Sequence, residues 1–223
     1  MAAKAPGKPE GIGASGSGAL LDGWRAFAPV DLPPILSAAL EEFREHGYHG
    51  TSVRDVAGRA GFSLPMIYYR YGNKQGLLVA LLEDAMGEVL QRARSAAAEA
   101  EGRVLEQFAN VVECIVLHMT HRAAMAGLDA ELRYLEPGNR TKYASLRKEL
   151  EQLLLQITEE GVAQGLFEVD RVRDTTRALL GMCQAVAGWY RAEGPLSPGE
   201  IADRYVSIAL RAVGARVRPV PVG

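Results

Sequence analysis

An all-α fold in two parts is predicted, a three-helix N-terminal head followed by a six-helix body, and three observations predict it. Apolar residues recur at spacings of three and four along most of the chain, the period of one face of a helix. No alternating run of strand length occurs. And the stretch from Gly47 to Lys74 carries start and stop signals for two short helices joined at a glycine.

Residues 1–30 are rich in Gly, Ala, Ser and Pro and read as a flexible arm. Gly11, Gly13 and Gly16 match G-x-G-x-x-G there, but a dinucleotide site needs a strand before and a helix after, and neither flank is present. Lys4, Lys8 and Arg25 give the arm cations that could touch DNA phosphates, but the composition favours an inert tail.

The head is assigned to residues 31–76. Pro33 and Pro34 suit a helix start, and Ile35, Leu36, Ala39, Leu40 and Phe43 form an apolar stripe that runs up to Gly47. Thr51 and Ser52 stand where an N-cap is wanted, and Val53, Val56, Ala57 and Ala60 give the second helix one apolar face. Gly61 supplies the left-handed turn, Ser63 and Pro65 open a third helix, and Ile67 and Tyr71 pack it back on the second. Two short helices across a glycine turn form a helix-turn-helix, whose second helix fits a DNA major groove. Between Gly50 and Gly76 stand four cations, Arg54, Arg59, Arg70 and Lys74, against one anion, Asp55, in a chain whose net charge is −2.

Residues 77–215 read as the body. Asn73 caps a long helix from Lys74, with Leu77, Leu78, Leu81, Leu82, Ala85, Val89 and Ala93 on one side. Val104 to Met119 is apolar almost all round, which predicts a buried central helix. Helices are then expected from Ala123 to Leu135, ended by Pro137-Gly138, from Lys142 to Val162, from Val169 to Tyr190, and from Pro198 with Ser197 as its cap. Residues 216–223 contain two prolines and read as a frayed tail.

Composition narrows the function. With 48% hydrophobic residues the chain buries a sizeable core, and no uninterrupted apolar run reaches the roughly 18 residues of a membrane span. Cys114 and Cys183 stand alone without metal-ligand or redox spacing, as expected in a reducing cytoplasm. Cys114, His118 and His121 share one helix face, yet three ligands on one helix with no nearby fourth make a poor tetrahedral set, so no metal is expected. No G-x-S-x-G, P-loop or H-E-x-x-H motif occurs, so no catalytic residue and no cofactor are expected either.

Read together, ILSAALEEF, GYxGTSVRDVAxRAG, S-x-P-x-I-Y-Y and the GNK before NKQGLLVALLEDAM resemble the DNA-binding domain of the TetR family of bacterial transcriptional regulators from Ile35 to about Leu82. Leu64, Arg70 and Tyr71 depart from that family's commonest pattern, at positions that bear on operator sequence rather than fold. The resemblance implies that Arg54, Leu64, Pro65, Met66 and Tyr69 meet base edges, and that Thr51, Ser52, Ser63, Tyr68, Arg70 and Lys74 contact phosphates. Arg54 suits a guanine edge bidentately, while Leu64, Pro65 and Met66, lacking hydrogen-bonding side chains, suit thymine methyls. The alternative for Leu64 and Met66 is a place in the core.

The same resemblance implies a homodimer whose body binds a small molecule. Leu179, Cys183, Val186 and Tyr190, with Val172 and Thr176, recur at alternating spacings of four and three, a seam suited to a four-helix bundle; Ile201, Tyr205, Ile208 and Ala212 make a stripe on the last helix, and part of each stripe must face the protein's own core. Ala178, Gly181, Ala185 and Gly188 allow close approach. His118, Met119, Met125, Arg133, Tyr134, Met182 and Trp189, unusual in size or polarity for a helical interior, are the candidate ligand contacts. The block from Gly181 to Ala215 resembles actinobacterial members that govern lipid or steroid breakdown and respond to acyl-CoA thioesters. The expected function is a regulator, a repressor released from a pseudo-palindromic double-stranded DNA operator by such an effector; a helical adaptor or a pocket-containing enzyme is the alternative.

Overall fold

The computed structural model describes residues 23–215, and every regular element among them is helical. The elements are α1 (Pro34–Gly50), α2 (Val53–Ala60), α3 (Leu64–Tyr71), α4 (Lys74–Glu99), α5 (Val104–His121), α6 (Ala123–Ala126), a 3-10 helix (Gly127–Tyr134), α7 (Pro137–Ala163), α8 (Val172–Gln184), α9 (Val186–Trp189) and α10 (Pro198–Ala212). Lys4, Lys8, the three glycines of the G-x-G-x-x-G match and the expected tail fall outside the described residues.

The starts of the helices follow local chemistry. Ser52 and Asp55 form a reciprocal capping box on α2, as do Ser197 and Glu200 on α10. The Asn73 side chain accepts the Gly76 N–H at 2.9 Å and so starts α4. Gly47 leaves helical geometry at φ 71°, and Gly61 ends α2 at φ 72°, both in the left-handed region that suits glycine. Three expected boundaries differ. The helix expected from Val169 to Tyr190 starts at Val172 and breaks at Ala185 into α8 and α9. Pro137 opens α7 instead of closing the helix before it, because proline at a first position sacrifices no hydrogen bond. The segment after α5 tightens into a 3-10 turn instead of forming one regular helix.

The body is built around α5, packed against α4, α7, α8 and α10, with Phe108, Val111, Val112, Ile115 and Val116 fully buried. From Val111 onward α5 is enclosed almost all round, which accounts for its apolar sequence, while Glu106, Asn110 and Glu113 form one narrow polar stripe. α1, α2 and α3 form the head, and α4 runs from its contacts with α1 and α3 into the body.

The N-terminal stretch departs from the expected arm. Trp24 is 2% exposed, and its indole N–H donates to Glu99 Oε2 at 2.6 Å. Arg25, placed in the expected inert arm, pairs with Glu113 at 2.7 Å and Glu99 at 3.0 Å. Low-complexity flanks hid one large aromatic residue able to anchor the segment.

Candidate DNA interface and its attachment to the body

α3 is a short helix whose two faces have different tasks. Ser63 takes an extended cap conformation before it, Pro65 occupies its first turn, and the Gly72 N–H closes it on the Tyr68 carbonyl. Ile67 is fully buried and Tyr71 packs partly against the core, so this face glues α3 to the head. The opposite face carries Pro65, Met66, Tyr68, Tyr69 and Arg70, all exposed. Tyr69 is 85% exposed and Met66 44%; an aromatic ring and a thioether held in water by the fold are surplus to the packing of the head. Leu64 is half-buried and packs on the core, so it falls between its two expected roles. Arg54 is exposed on the first turn of α2.

Two of the expected phosphate contacts are otherwise engaged. Thr51 is 3% exposed, and its hydroxyl donates to the carbonyls of Glu42 and Gly47 at 3.0 and 2.9 Å. It closes the turn between α1 and α2, with its hydroxyl turned into the head. The Lys74 ammonium donates to the carbonyls of Tyr48 and Thr51 at 2.6 and 2.8 Å and lies 4.5 Å from the Tyr48 ring centre; burial lowers its pKa. It therefore locks α4 to the end of α1. A sequence motif cannot distinguish a lysine that reaches phosphate from one that satisfies carbonyls left open at a helix end.

Of the four cations between Gly50 and Gly76, Arg59 is also spent internally, bonded to Glu42 at 2.6 Å and Glu45 at 2.5 Å. Arg54 and Arg70 remain as exposed cations beside the outward face of α3. The Ser52 hydroxyl serves the capping box, donating to Asp55 at 2.6 Å, whereas Ser63 makes no side-chain cap bond. Gly76 allows the close turn between α3 and α4, since a Cβ there would fall 1.8 Å from the Tyr71 carbonyl oxygen.

The seven candidate ligand residues do not come together. Met119 and Met125 are core residues, and Met182 packs at the core's edge. Arg133 is exposed over the Tyr134 ring; Tyr134 stacks on Tyr48 of α1 at 5.8 Å, and so belongs to the junction of head and body. Trp189 is 47% exposed, 6.3 Å from the Tyr205 ring. Two open grooves, of about 470 Å³ between α1 and α6 and about 340 Å³ between α7 and α8, are lined by none of the seven.

His118 alone points to unusual chemistry. It is 2% exposed, its Nδ1 has no partner, and burial pushes its pKa down to about 4. Around it stands a cluster that sequence reading passed over. Glu88 accepts from Arg92 at 2.9 Å and from Arg122 at 2.8 and 2.9 Å; both arginines are buried. Burial raises the Glu88 pKa, but the Arg122 hydrogen bonds and the neighbouring cations outweigh it and hold the carboxyl below its ordinary range. Glu88 and Arg92, four apart on α4, were the legible half of this cluster.

The expected dimer seam is also redistributed. Leu179, Cys183 and Val186 are 3%, 1% and 0% exposed, with α8 and α9 laid on α5 of the same chain. Their regular spacing records packing within the protomer. Tyr190 and Tyr205 pack partly against the core, while Ile208 and Ala212 stay exposed. The outward side of α8 and α9 carries Ala178, Gly181, Ala185 and Gly188 beside Trp189, a flat face of small residues. Burial pushes both cysteine thiols up to about 12, which keeps them protonated and unreactive at neutral pH. Among the described residues no group of His, Cys, Asp and Glu could hold a metal ion, and no helix is long and apolar enough to cross a membrane.

Comparison with known proteins matches both parts. Residues 35–81 match the bacterial regulatory proteins of the tetR family, and residues 101–213 match a tetracyclin repressor-like C-terminal domain. The HTH-type transcriptional repressor KstR2 of Rhodococcus jostii RHA1 is 26% identical over 179 residues, covering 79% of this chain and 87% of that protein. The fatty acid metabolism regulator protein of Bacillus subtilis 168 is 29% identical over 133 residues, covering 59% and 68%. The crystal structure of a tetR-family bacterial regulatory protein from Rhodococcus RHA1 superposes with a TM-score of 0.75 at 27% identity, over 82% of this chain and 96% of that one. With its helix-turn-helix head and its helical body each matched, the chain belongs to the TetR family of bacterial transcriptional regulators.

Proposed function

We propose that the protein is a homodimeric repressor that covers a pseudo-palindromic operator in the cytoplasm and leaves it when a small molecule binds the body. The outward face of α3 carries the reading: Tyr69, Met66 and Pro65 stand in solvent on a helix whose other face packs on the head through buried Ile67. Pro65, Met66 and Tyr69 would meet base edges together with Arg54, and Ser63, Tyr68 and Arg70 the phosphates, since polar groups and cations fix register while apolar contact reads thymine methyls. Two copies would pair through the small-residue face of α8 and α9 with Ile208 and Ala212, spacing the two heads about 34–36 Å apart, one turn of the duplex.

The fatty acid metabolism regulator among the relatives supports acyl-CoA thioesters as the first effector class to try. The test is a mobility-shift assay with DNA from upstream of the protein's own gene, at rising salt and then with fatty-acyl and steroid-derived CoA thioesters. A salt-sensitive shift supports phosphate-dominated binding. Release by one thioester class names the effector; a shift that ignores all of them removes the acyl-CoA assignment and keeps the repressor.

A further inference from the structure

Residues 24–27 lie across α4 and α5 at the buried Glu88, Arg92 and Arg122 cluster. The Arg92 guanidinium donates to the carbonyls of Trp24 and Ala26 at 3.0 and 2.7 Å, and stands 4.0 Å from the centre of the Phe27 ring. That ring stacks on His121 at 4.4 Å with planes 8° apart; the Arg122 guanidinium lies 5.3 Å away and the His118 ring 6.4 Å. Two buried guanidiniums thus share the Glu88 carboxylate, and Arg92 alone completes its coordination with two neutral carbonyls and the Phe27 ring face. Asp84, a turn before Glu88, is the other carboxyl facing the cluster; burial and Glu88 raise its pKa, and Arg122 lowers it. A buried cation satisfied by neutral acceptors is a place where an anion binds more strongly.

The occupant is weakly held at its far end. Phe27 is only half-buried, residues 28–31 are exposed, and Pro34 opens α1 seven positions later. The His118 Nδ1 atom remains buried and unpartnered beside this site, a polar group that the present occupant does not satisfy.

We infer that residues 24–27 fill, from within the chain, a binding site for a carboxylate carried on a flat ring, and that such a ligand takes their place on α4 and α5. The carboxylate replaces the two strap carbonyls on Arg92 and reaches Arg122; the ring takes the Phe27 position between His121 and Arg92. Displacement frees the chain that leads directly into α1 of the head. The inference rests on reading the body as a sensor, and operator binding by the ligand-free protein tests that reading separately.

The probe is 2-naphthoate, titrated calorimetrically into the full-length protein. An internal occupant lowers apparent affinity by the fraction of time it is in place, so Phe27→Ala should bind at least about tenfold tighter than wild type. Adding Arg122→Gln should remove that gain, and methyl 2-naphthoate, which keeps the ring without the charge, should bind at least about tenfold more weakly than the acid. Trypsin provides a readout on the unmodified chain: saturating 2-naphthoate should speed cleavage after Arg25, already exposed, at least about fivefold, since a released strap frees its backbone to enter the protease. Equal affinity in wild type and Phe27→Ala, or bound naphthoate with cleavage unchanged, overturns the inference.

Discussion

Gln75 and Tyr134 join the head to the body. Gln75, in the first turn of α4, donates through Nε2 to the Tyr134 carbonyl at 3.3 Å; its Oε1 accepts from the Glu136 N–H at 2.8 Å and from Asn139 Nδ2 at 2.7 Å. One nearly buried amide thus links the helix leaving the DNA-binding head to the start of α7. Tyr134 completes the joint by stacking on Tyr48, whose carbonyl accepts from Lys74. Gln75→Leu should lower the free energy of unfolding by about 1–3 kcal/mol, because the Glu136 N–H and the Tyr134 carbonyl lose a buried partner. Urea denaturation measures it, and an unchanged midpoint would show that the joint contributes nothing.

Tyr69 and Lys74 should separate binding from stability. Tyr69→Ala removes a side chain that the fold does not use, so stability should stay within about 0.5 kcal/mol while operator affinity falls by at least about tenfold. Lys74→Met should instead cost about 1–3 kcal/mol of stability, by leaving the Tyr48 and Thr51 carbonyls without their donor. Mobility shifts and thermal melts on the same samples distinguish the two; equal melting losses would contradict the assignment of Lys74 to the head's interior.

The two sides of α8 should behave oppositely. A Cβ at Gly181 meets nothing within 4 Å in the protomer, so Gly181→Arg should leave the fold intact and convert a dimer to a monomer in sedimentation. Leu179→Ala should leave the oligomeric state unchanged and destabilise by about 2–5 kcal/mol, the cost of a core cavity. Dimers that survive Gly181→Arg would move the pairing surface elsewhere.

His118 should make stability fall in acid. Its folded pKa, about 4, lies below its ordinary unfolded value of about 6.5, so between these limits the unfolded chain binds a proton that the folded chain does not. The stability associated with neutral His118 is fully present above about pH 6.5 and is lost as pH falls toward 4, by on the order of 3 kcal/mol. His118→Leu removes this term. The variant should therefore gain on wild type by on the order of 3 kcal/mol between pH 7 and pH 4, as denaturant unfolding at each pH would show. Parallel pH profiles would mean that His118 ionises in place.

Much was legible before any coordinates because the informative signals are local. Gly61 between two apolar-faced helices, the Ser52 and Ser197 caps, and the all-round apolar sequence of α5 each state a conformational preference within a few residues. These determined the helical fold, the helix-turn-helix and the exposure of Met66 and Tyr69. What periodicity could not reveal is the neighbour on the other side of a face. Leu179, Cys183 and Val186 form as regular a seam as any dimer helix, yet they cover α5.

Long-range polar pairings were equally silent, since nothing in the order of residues brings Arg122 to Glu88, Gln75 to Glu136, or Trp24 to Glu99. The amino-acid sequence by itself determined which segments coil and which short helix holds Met66 and Tyr69 out in solvent, because capping and amphipathicity act over a turn or two. Only the tertiary structure decided where Thr51 and Lys74 spend their hydrogen bonds, which side of α8 is left open, and that Phe27 sits among buried cations. Those outcomes depend on which desolvated group meets which partner across the fold.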